Sequence, residues 1–383
     1  MVGTVAGMPR LVALAATGGS AFVGRLRQAW DGGDAVLPVD PRLPPSAVDR
    51  LFAACGPAVF VGADGDHHLL GEGRPVEPGD ALVVATSGST GEPKGVVLTH
   101  DAVIASARAT SARLEVDAAA DRWLACLPLA HVGGLSVVTR ALVTGTELIV
   151  HDGFDAAAVE QEARRPGPVL VSLVSTALFR IEPSIFRTVV LGGGRPPEGL
   201  IADNVVTTYG MTETGSGVVY DGVPLDHVEV RISEGEVHVR GPMLLRQYRD
   251  GRDPKTADGW LATGDAGALD GRGRLTVFGR RGDMITTGGE KVWPHAVEAV
   301  LGLHQDVAEV AVVGRPDPEW GQRVVAWVVP VDGSRPPTLS ALRAFVADQL
   351  PSYAAPRELT LVASLPRTSL GKLVRHRLPG YTE

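Results

Sequence analysis

Three apolar runs in this chain each end in a cluster of small polar residues, and that shape constrains the fold more than any other feature. They are "DALVVATSGSTG" (80–91), "FRTVVLGGG" (186–194) and "DNVVTTYGMTETG" (203–215). A β-branched run that stops at glycines and hydroxyls reads as a buried strand opening into a loop. Helical patterns stand around them: "SAFVGRLRQAW" (20–30), "PSAVDRLFAACG" (45–56) with Ser46 as its N-cap candidate, and "HDAVIASARATSARL" (100–114). "DAVLPVD" (34–40) reads as a further strand running into a proline-rich loop. Strands alternating with helices predict an α/β fold, a mostly parallel sheet flanked by helices. Ligands of such sheets sit beyond the carboxyl ends of the strands. The three loops are therefore where chemistry is expected, the first of them between an apolar strand and the helix at 100.

The 383 residues exceed one ordinary core, which predicts two domains. The texture changes after about residue 222. "VEVRISEGEVHVRG" (228–241) alternates at period two and turns at Glu234 and Gly235, a hairpin signature. "GRLTVFGRRGDMITTGG" (273–289) reads as another β segment. A small α+β unit follows, with "PHAVEAVLGLH" (294–304) and "LSALRAFVADQL" (339–350) helical, and "VAEVAVVGRP" (307–316) and "RVVAWVVPV" (323–331) as strands. The boundary is placed in the stretch from Gly279 to Asp283, giving domains 1–281 and 282–383.

The formal charge is −8, which offers no basic surface to a phosphate backbone, so nucleic acid is not an expected partner. No apolar run approaches a membrane span. "MPRLVALAATGGSAF" (8–22) has the order of a signal peptide, but Thr17, Gly18 and Gly19 break its apolar run, and a first buried element is expected instead. Cys55 and Cys126 form no metal-like pair and fit a reducing cytoplasm.

"TSGSTGEPKG" (86–95) presents backbone N–H groups, hydroxyls and one lysine to a single anion, chemistry that suits a polyphosphate. Gly88 and Gly91 allow close approach. The common P-loop template needs Gly-Lys followed by Ser or Thr; Pro93 precedes Lys94 and Gly95 follows it, so that template fails. A plain Gly/Ser linker is the ordinary alternative.

"TSGSTGEPKGVVLTH" (86–100) resembles the phosphate loop of the adenylate-forming enzymes: acyl-CoA synthetases, carrier-protein adenylation domains and luciferases. "YGMTETG" (209–215), "ATGDAG" (262–267), "VFGRRGDMITTGGEKVWPHAVE" (277–298) and "LPRTSLGKLVR" (365–375) match that family's other motifs in the family's order. The resemblance implies a large amino-terminal ATP- and acyl-binding domain and a small mobile carboxy-terminal lid. It also implies ATP and CoA as co-substrates, with Mg²⁺. Thr86, Ser87, Gly88, Ser89, Thr90, Gly91 and Lys94 would hold the β- and γ-phosphates. Lys372 would bridge the attacking carboxylate and the α-phosphate, Thr212 would bind the α-phosphate, and Glu213 would bind Mg²⁺. Gly192, Gly193 and Gly194 would form a wall for the adenine, with Tyr209, Gly210 and Met211 against it. Asp265 would accept from the ribose hydroxyls, with Arg280 assisting. His131, in "LPLAHVGGLS" (127–136), would gate the acyl pocket and touch the carboxylate. Gly288 and Gly289 would line a tunnel for the thiol of CoA. Taken singly, each of these has an ordinary reading: a solvated lysine, a turn aspartate, a structural histidine. Their order gives them weight.

Within the family, "VSLVSTALFR" (171–180), "LGGGRPP" (191–197) and "TTGGEKVWPHAVE" (286–298) resemble the compact o-succinylbenzoate–CoA ligases of menaquinone biosynthesis. About 85 residues precede the phosphate loop, fewer than most relatives carry. That acid has an aromatic ring and two carboxylates. Gly133, Ser172, Ser175, Thr176 and Arg180 are candidates to line its pocket. Another small aryl or medium-chain acid, and a carrier protein in place of CoA, stay open, as does a homodimer. Gly282 stands at the family's hinge where many relatives have Asp or Lys. "PRTSLGK" also resembles the context in which bacterial acetyltransferases modify this lysine, an expectation of reversible inactivation at Lys372.

Overall fold

A computed structural model describes residues 8–71, 73–87, 93–193, 202–367 and 373–379. The chain folds as two units, one running through Val230 and again over Val239–Leu261, the other comprising Arg231–His238 and the chain from Ala262 onward.

The first unit holds two seven-stranded sheets. Strands β1 (Leu11–Ala15), β2 (Ala35–Val39), β3 (Val59–Val61), β4 (His67–Leu69), β5 (Asp80–Ser87) and β6 (Pro93–Thr99) build the first, in the order β6-β5-β2-β1-β3-β4. Its centre is parallel, because β1 pairs with both β2 and β3, and β2 meets β5 at Val36↔Leu82. Its flanks are antiparallel hairpins, β3 with β4 and β5 with β6. All five residues of β1 and of β2 are buried, the mark of strands covered on both faces. The run with a signal-peptide order is thus a central strand leading into helix α1 (Ser20–Asp31).

Two local expectations are corrected. Helix α2 (Pro45–Cys55) starts one residue before Ser46, with Pro44 at the N-cap and Pro45 in the first turn, where a missing N–H leaves nothing unsatisfied. The polar loop after β5 leads into a second strand, not directly into a helix. Val96, Val97 and Leu98 are fully or almost fully buried, so "GVVLT" reads as a continuous apolar strand. Helix α3 (His100–Arg113) begins after it, and the Thr99 side chain caps it by accepting from Ala102 N at 3.1 Å. Strands β5 and β6, on either side of that loop, pair antiparallel and set Thr86 opposite Lys94.

The second sheet uses β7 (Arg122–Ala125), β8 (Glu147–Val150), β9 (Val169–Val174), β10 (Thr188–Gly192), β11 (Val205–Met211), β12 (Ser216–Tyr220) and β13 (Val223–Pro224), in the order β13-β12-β11-β10-β9-β7-β8. It is parallel from β8 to β11 and antiparallel at β12 and β13. Helices α4 (Val132–Thr144), α5 (Ala156–Ala163) and α6 (Ser175–Leu178) connect its strands.

Strands β14 (Glu229–Ser233) and β15 (Glu236–Arg240) form the expected hairpin, with positive φ at Glu234 (49°) and Gly235 (76°), as a two-residue turn requires. The short strand β16 (Gln247–Tyr248) joins the first sheet beyond β6. With β17 (Leu261–Leu269) and β18 (Leu275–Arg280), β14 and β15 make a four-stranded sheet. The rest of the second unit is a sheet of β19 (Ile285–Thr287), β20 (Glu290–Val292), β21 (Val307–Asp317), β22 (Gly321–Pro330) and β23 (Glu358–Leu361). Helices α7 (Pro294–Leu301) and α8 (Leu339–Ala347) bury Val297, Leu301, Leu342 and Val346 against Val312, Val324 and Val328. The opposite face of the β21–β22 ladder buries Trp327 with Leu365 and Leu378. The expected boundary at 281/282 falls in the 3-10 turn Arg281–Asp283 between β18 and β19, inside the second unit, whose long segment already begins at Ala262.

Candidate active site

The β5–β6 pair, the turn after β11 and strand β16 converge in the first unit. The turn after β11 is a 3-10 segment, Thr212–Thr214, fixed by Met211 N donating to Thr214 Oγ1 at 2.9 Å. Gly210 is obligatory there, since a Cβ would stand 2.1 Å from Ser216 O. The Glu213 carbonyl accepts from Leu245 N at 2.8 Å, and its carboxylate Oε1 accepts from Tyr248 Oη at 2.9 Å. Two cations lie over the Tyr248 ring, Lys94 Nζ at 5.9 Å and Arg252 Cζ at 4.7 Å from its centroid. Burial, and then the Glu213 charge, push the Tyr248 phenol well above its usual pKa, so it stays a neutral donor.

The carboxyl ends of β10 and β11 lie side by side. Gly193 has φ +81° and a Cβ there would press on Val174, while a Cβ on Gly192 would meet Thr208 Oγ1 at 3.2 Å. Tyr209 follows on β11 and is half-buried. A flat glycine edge beside an aromatic ring can take a planar base.

His131 is the N-cap of α4. Gly134 lets that helix start close to the preceding loop, where a Cβ would stand 2.4 Å from Leu127 O. His131 Nε2 lies 4.0 Å from Asp40 Oδ2, at the carboxyl end of β2, and Arg42 clamps Asp40 through Nε at 2.9 Å and Nη2 at 2.7 Å. Burial lowers the His131 pKa, with Asp40 opposing that shift.

Arg140 lies two turns beyond Gly133 on the same face of α4. It is 2% exposed. Its Nη1 donates to Ser172 Oγ on β9 at 3.3 Å, its Nη2 donates to Ser216 Oγ on β12, and its guanidinium lies 5.2 Å from the Trp123 ring centroid. Its Nε has no hydrogen-bond partner, and it faces no carboxylate among the described residues. Of the other pocket candidates, Ser175 is half-buried, Thr176 is exposed on α6, and Arg180 lies over the Phe154 ring.

In the second unit, Asp265 on β17 is paired across strands with Arg280 on β18, whose Nε is 3.1 Å from Asp265 Oδ1. Arg280 Nη1 also donates to Thr263 O at 2.7 Å, so the guanidinium is held from two sides. Glu236 accepts from Gly264 N at 2.8 Å and from Arg281. Gly288 and Gly289 are the turn of the β19–β20 hairpin, with φ of 58° and 85°, and a Cβ on Gly288 would stand 2.9 Å from the Trp320 ring. Gly88, Ser89, Thr90, Gly91, Gly194 and Lys372 lie outside the described residues.

Sequence reasoning missed Arg140, Asp40, Tyr248 and Trp320. Arg140 had a signal, a lone charge in the apolar stretch "LSVVTRALV". Tyr248 had none, because only the pairing of β16 with β6 brings it to the site. Among the described residues no group of three or more His, Cys, Asp or Glu side chains could hold a metal ion. Mg²⁺ does not need one, since a carboxylate, waters and substrate phosphates serve it. Glu213, with one oxygen on a neutral donor, fits that donor set.

Residues 63–249 match the AMP-binding enzyme family, and residues 296–372 match the AMP-binding enzyme C-terminal domain. A probable 2-succinylbenzoate–CoA ligase of Mycobacterium tuberculosis is 41% identical over 359 residues, covering 87% of this chain and 93% of the relative. Among solved structures, the o-succinylbenzoate CoA synthetase of Bacillus subtilis in complex with its acyl-adenylate intermediate is 26% identical with a TM-score of 0.86, over 98% of this chain and 89% of that one. The same Bacillus subtilis enzyme in complex with ATP and magnesium ion is 27% identical with a TM-score of 0.85, over 97% of this chain and 89% of that one. No helix among the described residues is long and apolar enough to cross a membrane. With the two family domains in order along it and a relative this similar over most of its length, the chain belongs to the AMP-binding, adenylate-forming enzymes, as an acid–thiol ligase that makes acyl-CoA.

Proposed function

We propose that the enzyme activates o-succinylbenzoate with ATP and transfers the acyl group to CoA, a step of menaquinone biosynthesis. The observation that carries the choice of acid is Arg140. A buried guanidinium without a counter-charge is unstable. Two hydroxyls and one aromatic face compensate it only in part. An acid with a second, unreactive carboxylate supplies the missing charge, and benzoate or a fatty acid does not. The relatives' names support the same acid.

The chemistry follows from the charges. A carboxylate oxygen attacks the α-phosphorus, a new O–P bond forms, and the bond to the β-phosphate oxygen breaks as pyrophosphate leaves. Two anions must meet, so the site places positive charge and oriented donors where charge builds. Lys94, Thr86, Ser87, Gly88, Ser89, Thr90 and Gly91 hold the β- and γ-phosphates, and Thr212 the α-phosphate. Lys372 bridges carboxylate and phosphate. Glu213 would hold Mg²⁺, which neutralises phosphate charge when bound. Gly192, Gly193, Gly194 and Tyr209 take the adenine, and Asp265, oriented by Arg280, takes the ribose. His131, Gly133, Ser172 and Thr176 frame the acyl group. In the second half-reaction the CoA thiol loses its proton, its sulfur attacks the acyl carbon, and AMP leaves. Gly288 and Gly289 keep the thiol's path narrow and clear.

The test is pyrophosphate release with ATP, Mg²⁺ and o-succinylbenzoate, with and without CoA, beside benzoate and octanoate. CoA-stimulated turnover with o-succinylbenzoate alone is expected. Preference for a monocarboxylic acid would discard the choice of acid and keep the family. Turnover that ignores CoA but loads a carrier protein would discard the acceptor.

A further inference from the structure

We infer that Tyr248 is a positioning residue for the magnesium carboxylate and the phosphate lysine together; this rests on the reading of Glu213 as the Mg²⁺ residue.

Strand pairing brings the tyrosine there. β16 sets Tyr248 opposite Val96 of β6, so Tyr248 shares a sheet face with Val96 and, two residues back along that strand, with Lys94. The backbone holds it firmly. Tyr248 N donates to Arg252 O at 2.8 Å, and Gly251 N donates to Tyr248 O at 2.9 Å. That tight turn carries Arg252 back over the ring, 4.7 Å from its centroid. The turn bearing Glu213 is tied to the same segment by Leu245 N, 2.8 Å from Glu213 O. A phenol donor thus meets the Glu213 carboxylate at 2.9 Å on a frame fixed at both ends.

The choice of a neutral donor matters. An arginine or lysine at this point would orient the carboxylate but also cancel the charge that a cation needs. A phenol orients Oε1 and leaves the negative charge intact and Oε2 outside the bond. Meanwhile the ring face takes the cations. Lys94 rests over the ring and forms no ion pair among the described residues, so its ammonium stays available to a phosphate. One side chain therefore separates the two charges that the nucleotide must find apart.

The experiment measures ATP binding by calorimetry over a Mg²⁺ series without acid or CoA, so that no turnover occurs. Tyr248→Phe keeps the ring and removes the donor. Groups that orient a metal ligand typically change metal affinity 10–100-fold. The half-saturating Mg²⁺ is expected to rise about 10-fold or more, with the melting temperature unchanged. Tyr248→Leu also removes the ring and is expected to weaken ATP at saturating Mg²⁺ as well. Glu213→Gln is the control for the underlying reading. If Glu213→Gln shifts the Mg²⁺ dependence and Tyr248→Phe does not, the inference is overturned and the metal reading stands. If Glu213→Gln leaves the dependence unchanged, both fall. A lower melting temperature for Tyr248→Phe with an unmoved Mg²⁺ midpoint overturns the positioning role in favour of plain packing.

Discussion

Arg140→Met separates substrate recognition from folding at a single buried position. Arg140 is 2% exposed and donates to Ser172 and Ser216, with Trp123 against its guanidinium. Removing one partner of a buried, hydrogen-bonded charge pair costs about 2–5 kcal/mol. At 1.4 kcal/mol per factor of ten, kcat/KM for o-succinylbenzoate should fall about 30-fold to about 4000-fold. An analogue with the second carboxylate replaced by hydrogen never forms that pair, so its kcat/KM should change little. Stability responds to opposing terms. The variant loses the two serine bonds and the ring contact, but it also removes a buried cation that faces no carboxylate among the described residues, whose desolvation is itself costly. The melting temperature should therefore stay close to that of the parent. The assay is pyrophosphate release with both acids, alongside a thermal melt. An equal loss with the two acids would refute the argument and leave Arg140 as a brace between β9 and β12.

Three further outcomes are expected. Lys372→Ala should cut acid-dependent pyrophosphate release about 10²–10³-fold, while CoA consumes preformed acyl-adenylate almost as before; equal loss in both half-reactions would remove the assignment. Gly288→Ala puts a Cβ 2.9 Å from the Trp320 ring at a φ of 58°, which adds about 1–2 kcal/mol of backbone strain. Thioester formation, followed chromatographically, should slow more than adenylate formation. Burial lowers the pKa values of His131 and His100 below 6.5. A histidine depressed on folding contributes stability above its unfolded pKa, and this is lost as pH falls towards the folded value. Melts from pH 8 to pH 5 should show the loss starting near pH 6.5, and His131→Phe should reduce it.

The architecture was legible in the sequence because its strongest signals are local. Buried parallel strands read as apolar runs, and glycines mark where each chain end must turn or lie flat. The hairpin at Glu234 and Gly235 was legible for the same reason. Where the reading slipped, tertiary context decided. "GVVLT" carries too few residues to tell a strand from the approach to a helix, and pairing with β5 settled it. Ser46 has the chemistry of a cap, but the proline before it already starts the helix.

The site divides along the same line. The residues proposed to hold the nucleotide sit in motifs, because one anion with many oxygens demands several donors within a few residues. Residues that set charge around those donors do not. Tyr248 reaches Glu213 from 35 residues away, and Arg140 reaches Ser216 from 76 residues away. In the sequence Arg140 is a lone charge in an apolar stretch, and Tyr248 stands among charged and polar neighbours like any surface residue. Their partners decide what they are. A phenol on a carboxylate leaves the charge for a cation, whereas a guanidinium on two hydroxyls leaves its charge for an anion. The first arrangement would serve triphosphate binding whatever the acid, because the nucleotide presents the same charges to the site each time. The second serves only an acid with a charge to spare, so specificity for the acid should reside at Arg140 and be lost there without loss of adenylation chemistry.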